Sequence, residues 1–431
     1  MKTLIGLRRE DKNMWEKRIA LTPDQLRELS VDSSIGCIVQ PSAIRAFSDS
    51  EFEQAGITVQ EDLSPCKVII AIKEIPLNFF ERNKTYLFFS HTVKGQSYNM
   101  PMLKKIMDMS SQLIDYEKVT DENSRRMLFF GKEAGYAGMF ESLYALGKRL
   151  AVKNIKNPFS ELKQCYEYGN LEKLKSAVHD IALKIKREGL PEAVCPLTCG
   201  FAGYGNVSRG AQEIFDLLPF IEISPGELLS KKLACKDHLY KIVFKEEHMV
   251  KPKTEKFELS DYYNYPEKYE SIFENYIPHL TMLINCIYWD KKYPRLVTKH
   301  YLKTHGAHKL LVIGDISCDI NGAVECTVKS TVADKSIYVY DPVNENISDG
   351  VEGDGIAVMA IDNLPGTLPL EASRDFGEKL KKFIPEIAMA DYSVDFEHCN
   401  LSPPIKNAMI VYQGKLTPKY KYLEEFLKSE E

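Results

Sequence analysis

A glycine-rich turn near the middle of the chain constrains the fold more than any other feature. An apolar run over residues 193–201 predicts a buried parallel strand, and residues 211–218 have the apolar spacing of a helix. Between them lie Gly203, Gly205 and Gly210. A strand, a glycine turn and a helix in this order are typical of a dinucleotide-binding site. The sequence therefore predicts a nucleotide-binding α/β unit in this part of the chain.

The three glycines suit three requirements of a bound pyrophosphate. Gly203 permits the tight turn, Gly205 lets the backbone approach the phosphates, and Gly210 allows close packing of the helix on the strand. The helix N-terminus then presents free N–H groups to the phosphates. The predicted cofactor-binding positions are Gly203, Gly205, Asn206 and Val207. The spacing is two residues longer than the commonest form of the motif, and an ordinary strand–helix turn is the alternative interpretation.

The residue that ends the next predicted strand bears on the choice between NAD and NADP. The strand is predicted at Phe220–Ile223, and it is followed by Ser224, a small hydroxyl that leaves room for a 2′-phosphate. Three basic residues are candidates to balance that phosphate: Arg209, Lys231 and Lys232. This pattern favours NADP(H). The alternative is that Glu222 or Glu227 holds the ribose hydroxyl and that the cofactor is NAD(H).

Length and charge exclude several classes of protein. A chain of 431 residues suits two domains or more. The net charge is −5 and no basic block stands out, so a nucleic-acid partner is not expected. No apolar run reaches the roughly 18 residues of a membrane span, and the N-terminal apolar run is too short for a signal peptide. The ten cysteines form no C-x-x-C pair, which argues against a metal site and for reduced thiols in the cytoplasm or an organelle matrix.

Titratable residues follow several predicted strands in the first part of the chain. The strands predicted at 68–72, 86–89 and 113–114 alternate with helices, so their C-terminal ends share the sheet edge where ligands bind. The residues after these strands are Lys73, Glu74, His91, Lys94, Asp115 and Glu117. A lysine beside a carboxylate and a histidine suit proton transfer near neutral pH. The alternative is a solvated Lys–Glu pair and a structural histidine.

Other charged residues are candidates for binding. Arg18, Arg125 and Arg126 suit substrate carboxylates because a guanidinium pairs with a carboxylate through two hydrogen bonds. Asp315 and Asp319 follow a buried strand in the nucleotide half and are placed to face the nicotinamide or the substrate. Surface ion pairs and a loop turn are the corresponding structural interpretations.

Many motifs together resemble one family. The stretches that carry this resemblance include IGLRRED and WEKR in residues 5–18, FFSHTVK at 88–94, LIDYEK at 113–118, GYGNVSRGAQ at 203–212, LINCIYW at 283–289, DISCD at 315–319 and IDNLP at 361–365. With them the chain is similar over nearly its whole length to the lysine–ketoglutarate reductase domain of alpha-aminoadipic semialdehyde synthase. The resemblance is more distant to lysine-forming saccharopine dehydrogenase and to the alanine dehydrogenase/transhydrogenase group.

The resemblance implies an α/β fold with two Rossmann-like domains, parallel sheets and an interdomain cleft. The substrate-binding domain would comprise residues 1–135 and 360–431, and the dinucleotide-binding domain residues 136–359. The last seventy residues are expected to be largely helical.

The resemblance also implies a reaction, the reductive condensation of L-lysine with 2-oxoglutarate to saccharopine with NADPH. Lys73 and His91 would be the acid–base pair. The positions that match substrate-binding residues are Arg18, Glu74, Glu117 and Arg126, and Asp319 matches an aspartate near the nicotinamide. Ser224 departs from the acidic residue of relatives. Small molecules would be the partners, with no nucleic acid and no membrane.

Two other functions are consistent with the sequence. One is the same chemistry run with NAD towards lysine, and the other is a non-catalytic module that senses lysine or nucleotide. The chain ends at Glu431, soon after the resemblance ends, which fits either a stand-alone reductase or a part of a longer protein.

Overall fold

The computed structural model describes residues 2–32, 34–233, 236–253, 256–306 and 309–428. The chain divides into two compact units. The first unit comprises Met1–Phe130 and Pro369–Glu431, and the second comprises Gly131–Leu368. The described residues of each unit form an eight-stranded sheet covered by helices. The predicted α/β class with two Rossmann-like domains is confirmed.

The first unit begins with alternating strands and helices. Its strands up to residue 130 are β1 (Thr3–Leu7), β2 (Ile35–Val39), β3 (Thr58–Val59), β4 (Val68–Ile70), β5 (Thr85–Phe88) and β6 (Gln112–Asp115). Its helices in this range are α1 (Pro23–Asp32), α2 (Asp49–Gln54) and α3 (Met100–Asp108). Strand β4 lies between β1 and β5 and its three residues are fully buried, which explains its continuous apolar sequence.

The second unit opens with a long helix. Its helices are α4 (Gly131–Val152), α5 (Leu171–Glu188), α6 (Asn206–Phe215), α7 (Pro225–Ser230), α8 (Glu246–Met249), α9 (Leu259–Asn264) and α10 (Lys299–His305). Its strands are β7 (Thr198–Ala202), β8 (Phe220–Glu222), β9 (Leu239–Phe244), β10 (Val250–Pro252), β11 (Tyr269–Ser271), β12 (Met282–Asn285), β13 (Val312–Asp315), β14 (Ile337–Asp341), β15 (Asn346–Asp349) and β16 (Ile356–Met359). Strands β10 and β11 form a separate antiparallel pair.

The C-terminal segment returns to the first unit. It contains α11 (Pro369–Leu380), α12 (Ile384–Met389), α13 (Pro403–Ala408), β17 (Met409–Tyr412), β18 (Lys415–Leu416) and α14 (Glu424–Leu427). The expectation of a largely helical ending is wrong at β17, a buried strand that pairs antiparallel with β6 and β18. Its four apolar residues in a row fit a strand that is covered on both faces.

Both sheets are mostly parallel. The strand order is β18-β17-β6-β5-β4-β1-β2-β3 in the first unit and β15-β14-β16-β13-β12-β7-β9-β8 in the second. Strands β1–β6 run parallel to one another, as do β7, β8, β9, β12, β13 and β16. Strand β17 pairs antiparallel with β6, and β14 pairs antiparallel with β16. Loops that follow these strands therefore share one edge of each sheet, where open α/β sheets bind ligands.

Two predicted elements differ from the structure in instructive ways. The strand predicted at 193–201 is shorter, because Pro196 has no N–H group to donate to a neighbouring strand, and β7 begins at Thr198. The sequence pattern of residues 160–190 predicts a helical, polar connecting segment. Helix α5 in it packs into the core of the second unit through its apolar face, which consists of Leu174, Val178, Ile181 and Ile185.

The chain passes from one unit to the other at residues 130/131 and 368/369, whereas the predicted domain boundaries lie at 135/136 and 359/360. Residues 131–135 lie in the first turns of α4, and Leu364 and Leu368 pack in the core of the second unit, so 131–135 and 360–368 belong to that unit. That the first unit binds substrate and the second binds the dinucleotide stays a prediction.

Two further properties concern the length of the described helices and the state of the described cysteines. None of the helices in the described part of the chain is long and apolar enough to cross a membrane. The nine described cysteines are free thiols, and Cys235 lies outside the described residues.

Candidate functional site

The first candidate region is a cluster of titratable side chains at the C-terminal edge of the first sheet. Strands β1, β4, β5 and β6 are parallel neighbours, so the residues that follow them come together at one edge. These residues include Glu10 after β1, Lys73 and Glu74 after β4, His91 after β5 and Glu117 after β6. We call them, with Lys12, the strand-end cluster.

His91 and Glu74 are in direct contact within this cluster. The His91 Nδ1 atom lies 2.6 Å from Glu74 Oε1, and Lys12 Nζ lies 2.8 Å from Glu74 Oε2. Burial acts to raise the pKa of Glu74, but the hydrogen bonds from His91 and Lys12 outweigh it and lower that pKa to about 2. Glu74 is therefore a carboxylate at neutral pH, and it holds one ring nitrogen of His91.

The backbone at His91 is fixed in an unusual conformation. Its φ is 49°, in the left-handed region that few side chains adopt. The Asn99 side-chain amide donates hydrogen bonds to the carbonyls of Ser90 and His91, at 3.0 and 3.3 Å. The imidazole stacks against the Phe89 ring, with centroids 6.5 Å apart. These contacts hold the ring in one orientation.

Lys73 lies beside Glu74 in a half-buried position. Burial lowers the pKa of Lys73, and the positive charge of Arg18 lowers it further. The Lys73 ammonium forms no ion pair with any residue that the structure describes. A lysine whose pKa is lowered in this way exchanges a proton more readily near neutral pH than a solvated lysine.

Glu10 is a member of the cluster that the sequence analysis missed. It is fully buried, and its two carboxyl oxygens accept hydrogen bonds from the backbone N–H groups of Ile72 (2.6 Å) and Lys73 (3.0 Å). Burial and the nearby Glu16 carboxylate raise the pKa of Glu10 to about 8. Glu10 thereby ties the loop after β1 to the loop that carries Lys73. The alternating pattern of residues 3–8 predicts a strand, and the place of Glu10 shortly after it was the signal that could have identified it.

Arg18 is buried and already paired. Its Nε and Nη2 atoms donate to the two oxygens of Glu16 at 2.7 and 2.6 Å, and both side chains are almost fully buried. The guanidinium also lies over the Phe130 ring, 4.2 Å from its centroid. Two of the donors that would grip a substrate carboxylate are therefore engaged by Glu16. The role of Arg18 in substrate binding stays a prediction.

Arg126 is differently placed from Arg18. Its Nε donates to the Leu128 carbonyl at 2.9 Å, and its guanidinium lies 5.2 Å from the centroid of the Phe89 ring, which also stacks on His91. It forms no ion pair with any residue in the described ranges, so it retains donors for a carboxylate. Glu117, half-buried after β6, is close enough to act on the Arg126 charge.

Asp115 has a structural role at the end of β6. It is buried, and it accepts hydrogen bonds from the Ser90 backbone N–H at 3.0 Å, from the Ser90 hydroxyl and from the Glu117 backbone N–H at 2.7 Å. Burial raises the pKa of Asp115. Its bonds join the loops that carry His91 and Glu117. Lys94 is exposed to solvent.

The second candidate region is the glycine turn of the second unit. Gly203 has a φ of 94°, which favours glycine, and its N–H donates to the carbonyl of Phe244 at 2.9 Å. Gly205 precedes α6, and a Cβ built on it would meet no atom within 4 Å. Among the described residues no side chain caps α6, so the N–H groups of its first turn, which contains Asn206 and Val207, remain available to an anion.

Gly210 is not where the sequence analysis expected it. Helix α6 begins at Asn206, five residues earlier than predicted, so Gly210 lies inside the helix. A Cβ on Gly210 would lie 2.2 Å from the carbonyl oxygen of Lys132, in α4. Gly135 on α4 faces α6 in the same way. The glycine therefore serves a close helix–helix contact rather than helix–strand packing.

Ser224 is also in a different environment from the one expected. It follows β8, which lies at the edge of the sheet and, among the described strands, pairs only with β9, so β8 is not the neighbour of β7. The Ser224 hydroxyl caps α7, donating to Glu227 at 2.9 Å and accepting from the Glu227 backbone N–H at 3.2 Å. Glu227 also pairs with Lys231, and Glu222 lies 3.5 Å from Lys241. Ser224 therefore gives no support to a preference for NADP(H) over NAD(H).

A cavity of about 300 Å³ lies beside the glycine turn. It is formed where β9, β7 and β12 end, and it has the size of a small ligand site. Its described lining residues are Gly203, Tyr204, Gly205, Glu246, Met249, Tyr262, Tyr263, Cys286, Ile287, Tyr288 and Tyr293. We call this the tyrosine cavity. Sequence reasoning missed Glu246, Tyr262 and Tyr263, because they lie in the charged, aromatic span 236–278, whose elements the sequence pattern does not predict.

The strands on the other side of β7 carry an amide and a carboxylate. Asn285, at the end of β12, donates to Asp315 at the end of β13 at 2.9 Å, and the Thr327 hydroxyl donates to Asp315 at 2.6 Å. Burial raises the pKa of Asp315 to about 6. Asp319 is exposed in the loop that follows. Asp315 therefore organises this loop, and a role of Asp319 near the nicotinamide stays a prediction.

Comparison with known proteins identifies the family. Residues 6–137 match the model described as "Alanine dehydrogenase/PNT, N-terminal domain", and residues 242–419 match the model of the C-terminal domain of the same family. The chain belongs to the alanine dehydrogenase/PNT family. The structure of an L-alanine dehydrogenase superposes with a TM-score of 0.62 at 17% identity, covering 99% of this chain and 100% of that chain, which shows the shared fold.

Two kinds of curated relative are similar to the chain. The chain is 36% identical to mouse "Alpha-aminoadipic semialdehyde synthase, mitochondrial" over 100% of its own length and 48% of that protein. It is 26% identical to "Saccharopine dehydrogenase [NAD(+), L-lysine-forming]" of Yarrowia lipolytica, over 90% of this chain and 93% of that protein. The chain thus spans about half the length of the mouse relative.

Proposed function

We propose that this chain condenses L-lysine with 2-oxoglutarate and reduces the product to saccharopine with a reduced nicotinamide dinucleotide. The observation that carries the proposal is the strand-end cluster, in which His91 contacts Glu74 beside the half-buried Lys73. The match to the mouse synthase supports it, because the sequence resembles the lysine–ketoglutarate reductase domain of that kind of enzyme.

The proposed acid and base are His91 and Lys73. The ε-amine of lysine must be neutral to attack the ketone, so a base is needed, and the carbinolamine must lose water, so an acid is needed. The lowered pKa of Lys73 increases the neutral fraction of its amine relative to a solvated lysine, as a base requires. Glu74 holds His91 Nδ1, which leaves Nε2 to exchange a proton with the reactants.

The proposed substrate-binding residues carry charges opposite to those of the substrate groups that they would bind. Saccharopine carries three carboxylates, and a guanidinium binds a carboxylate through paired hydrogen bonds. We expect Arg126 to contribute more than Arg18, because Arg18 is already paired with Glu16. Glu74 and Glu117 would attract the amino groups.

The second unit would bind the dinucleotide, which supplies the hydride for reduction of the imine. The uncapped N-terminus of α6 and the open space in front of Gly205 suit a pyrophosphate, and the tyrosine cavity suits an adenosine. Asp319 would lie at the nicotinamide end. NADPH was the expected form on the basis of Ser224, which has lost that support.

The direct test is dinucleotide oxidation, followed by the loss of nicotinamide absorbance. Lysine and 2-oxoglutarate are each supplied and each omitted, with NADPH and with NADH. Oxidation that requires both substrates, with saccharopine as the product, supports the proposal. Binding of nucleotide without any turnover would reject it and favour the sensing module.

The same chemistry towards lysine with NAD⁺ is the second candidate. It is favoured by the similarity to the Yarrowia enzyme, which covers most of both chains. Rates measured from saccharopine with NAD⁺ and with NADP⁺, against rates of the condensation, distinguish the two directions.

A further inference from the structure

Glu246 follows the strand that lies directly beside the glycine turn. Strand β9 pairs with β7 along its length, with Phe244 opposite Ala202, and the Gly203 N–H donates to the Phe244 carbonyl at 2.9 Å. In Rossmann folds the residue that ends the strand beside the glycine-turn strand contacts the adenosine ribose. In this chain that place belongs to the residues after β9, and not to Ser224 after the edge strand β8.

Glu246 is the only charged residue among the described residues that line the tyrosine cavity. The hydroxyl of Tyr263 donates to its Oε1 at 2.6 Å. Burial raises the pKa of Tyr204, in the glycine turn itself, and the Glu246 carboxylate raises it further, so the carboxylate faces the turn. A half-buried carboxylate that lines the cavity is thus held by a hydrogen bond.

The basic residues expected to receive a 2′-phosphate do not line this cavity. Lys231 pairs with Glu227 beside α7, and Arg209 is exposed on α6. Lys245, next to Glu246, is exposed to solvent. A 2′-phosphate in the cavity would therefore meet a carboxylate, and none of the lining residues described offers a positive charge.

We propose that Glu246 determines the dinucleotide preference of this chain, by accepting hydrogen bonds from the adenosine ribose hydroxyls and repelling a 2′-phosphate, so that NADH binds more tightly than NADPH. The inference rests on the dinucleotide binding proposed above. It reverses the preference that the sequence alone suggested. A like-charge pair in a partly buried site weakens binding by about tenfold or more.

The experiment measures equilibrium binding to the full chain without turnover, by titration calorimetry. The ligands are NADH and NADPH, together with 5′-ADP and 2′,5′-ADP, which differ only in the 2′-phosphate. The variants are Glu246→Gln, which removes the charge at nearly the same shape, and Tyr263→Phe, which removes the hydroxyl that holds the carboxylate. Glu247→Gln is the control, because Glu247 is exposed and outside the cavity lining.

The expected result is at least about tenfold tighter binding of NADH and 5′-ADP than of their 2′-phosphorylated partners, with the ratio falling towards one in Glu246→Gln. Tyr263→Phe should lower this affinity ratio less than Glu246→Gln does, and Glu247→Gln should leave the ratio unchanged. Tighter binding of NADPH by the native chain overturns the inference, as does a preference for NADH that survives Glu246→Gln. In both of those cases the proposed reaction stands. Failure to bind either dinucleotide would overturn the reaction and the inference together.

Discussion

The strand-end cluster of the first unit and the tyrosine cavity of the second distribute charge in opposite ways. In the cluster every charge has a neighbour of opposite sign or is tuned by burial, as in Glu74 between Lys12 and His91. In the cavity, aromatic rings surround Glu246, which is the one charged residue among the described residues of the cavity lining. The first arrangement suits the movement of protons. The second suits a flat, uncharged ring, with a single group left to discriminate between ligands.

In the proposed reaction the strand-end cluster would transfer protons and the tyrosine cavity would bind the dinucleotide. In the cluster Glu74 is paired with Lys12, and burial shifts the pKa values of Glu10 and Lys73 away from their usual values. An isolated carboxylate in an apolar cavity is costly unless hydrogen-bonded, which explains why Tyr263 holds Glu246. A substitution in the cluster should therefore change turnover, and one in the cavity should change which dinucleotide binds.

The largest effect is expected from removal of the acid–base pair. Lys73→Met and His91→Gln should each lower turnover of the proposed reaction by about 10²-fold or more, because each removes a proton-transfer group. Dinucleotide binding should be unchanged, since both residues lie in the first unit. Steady-state rates and calorimetric binding measure the two effects.

The matched controls for that prediction lie in the same unit. Lys67→Met changes an exposed lysine at the opposite end of β4, and His398→Gln changes an exposed histidine. Both should retain full turnover. Near-native activity in Lys73→Met and His91→Gln would remove these residues from the catalytic assignment.

The next prediction concerns a buried carboxyl that is outside both regions. Glu141 on α4 is fully buried, and burial raises its pKa from 4.5 to about 7. Between those pH values the unfolded chain releases this proton while the folded protein keeps it, so the stability that Glu141 contributes is lost as the pH rises. The loss should reach up to about 3 kcal/mol. Denaturant unfolding of the native chain and of Glu141→Gln across this interval measures it.

The Glu141→Gln variant should show a flatter dependence of stability on pH, with no change in dinucleotide preference. Glu172→Gln, an exposed carboxylate at the start of α5, is the control and should follow the native curve. Identical pH dependence in the native chain and Glu141→Gln would mean that Glu141 is ionised in the folded protein.

Helix packing in the second unit gives a smaller effect. Gly210→Ala should destabilise the protein by about 2 kcal/mol, because the added Cβ would lie 2.2 Å from the Lys132 carbonyl oxygen and the two helices would have to move apart. Gly226→Ala, in α7, is the control, since its Cβ would meet no atom within 4 Å. A gain of stability in both variants would contradict the close helix contact. Chemical denaturation measures both.

The first unit was more predictable from its sequence than the second, for a physical reason. Lys73 and His91 directly follow apolar strands, and parallel strands place such residues at one edge whatever their order. The contact between His91 and Glu74 needed only that rule. The partners within the edge were harder to foresee, because the pairing of Arg18 with Glu16 depends on the path of a loop.

In the second unit the glycine turn was predicted, but the order of the strands was not. The sequence places β8 directly after α6, and the simplest expectation makes it the neighbour of β7. The sheet instead inserts β9 between them, so the end of the neighbouring strand carries Glu246 and not Ser224. Strand adjacency depends on packing between distant segments, which local sequence patterns do not record.

The smallest effect is expected from removal of the Ser224 hydroxyl, and it distinguishes a role in capping α7 from a role in dinucleotide preference. Ser224→Ala should lower the free energy of unfolding by about 1 kcal/mol, through loss of the cap on α7, and should leave the ratio of NADH to NADPH affinity unchanged. Ser48→Ala is the matched control, because Ser48 caps α2 in the first unit through the same reciprocal bonds with a glutamate. Both variants should lose similar stability in denaturant titrations. A change of dinucleotide preference in Ser224→Ala but not in Ser48→Ala would show that Ser224 determines the preference. Equal losses of stability with an unchanged preference would support Glu246 as the residue that determines it.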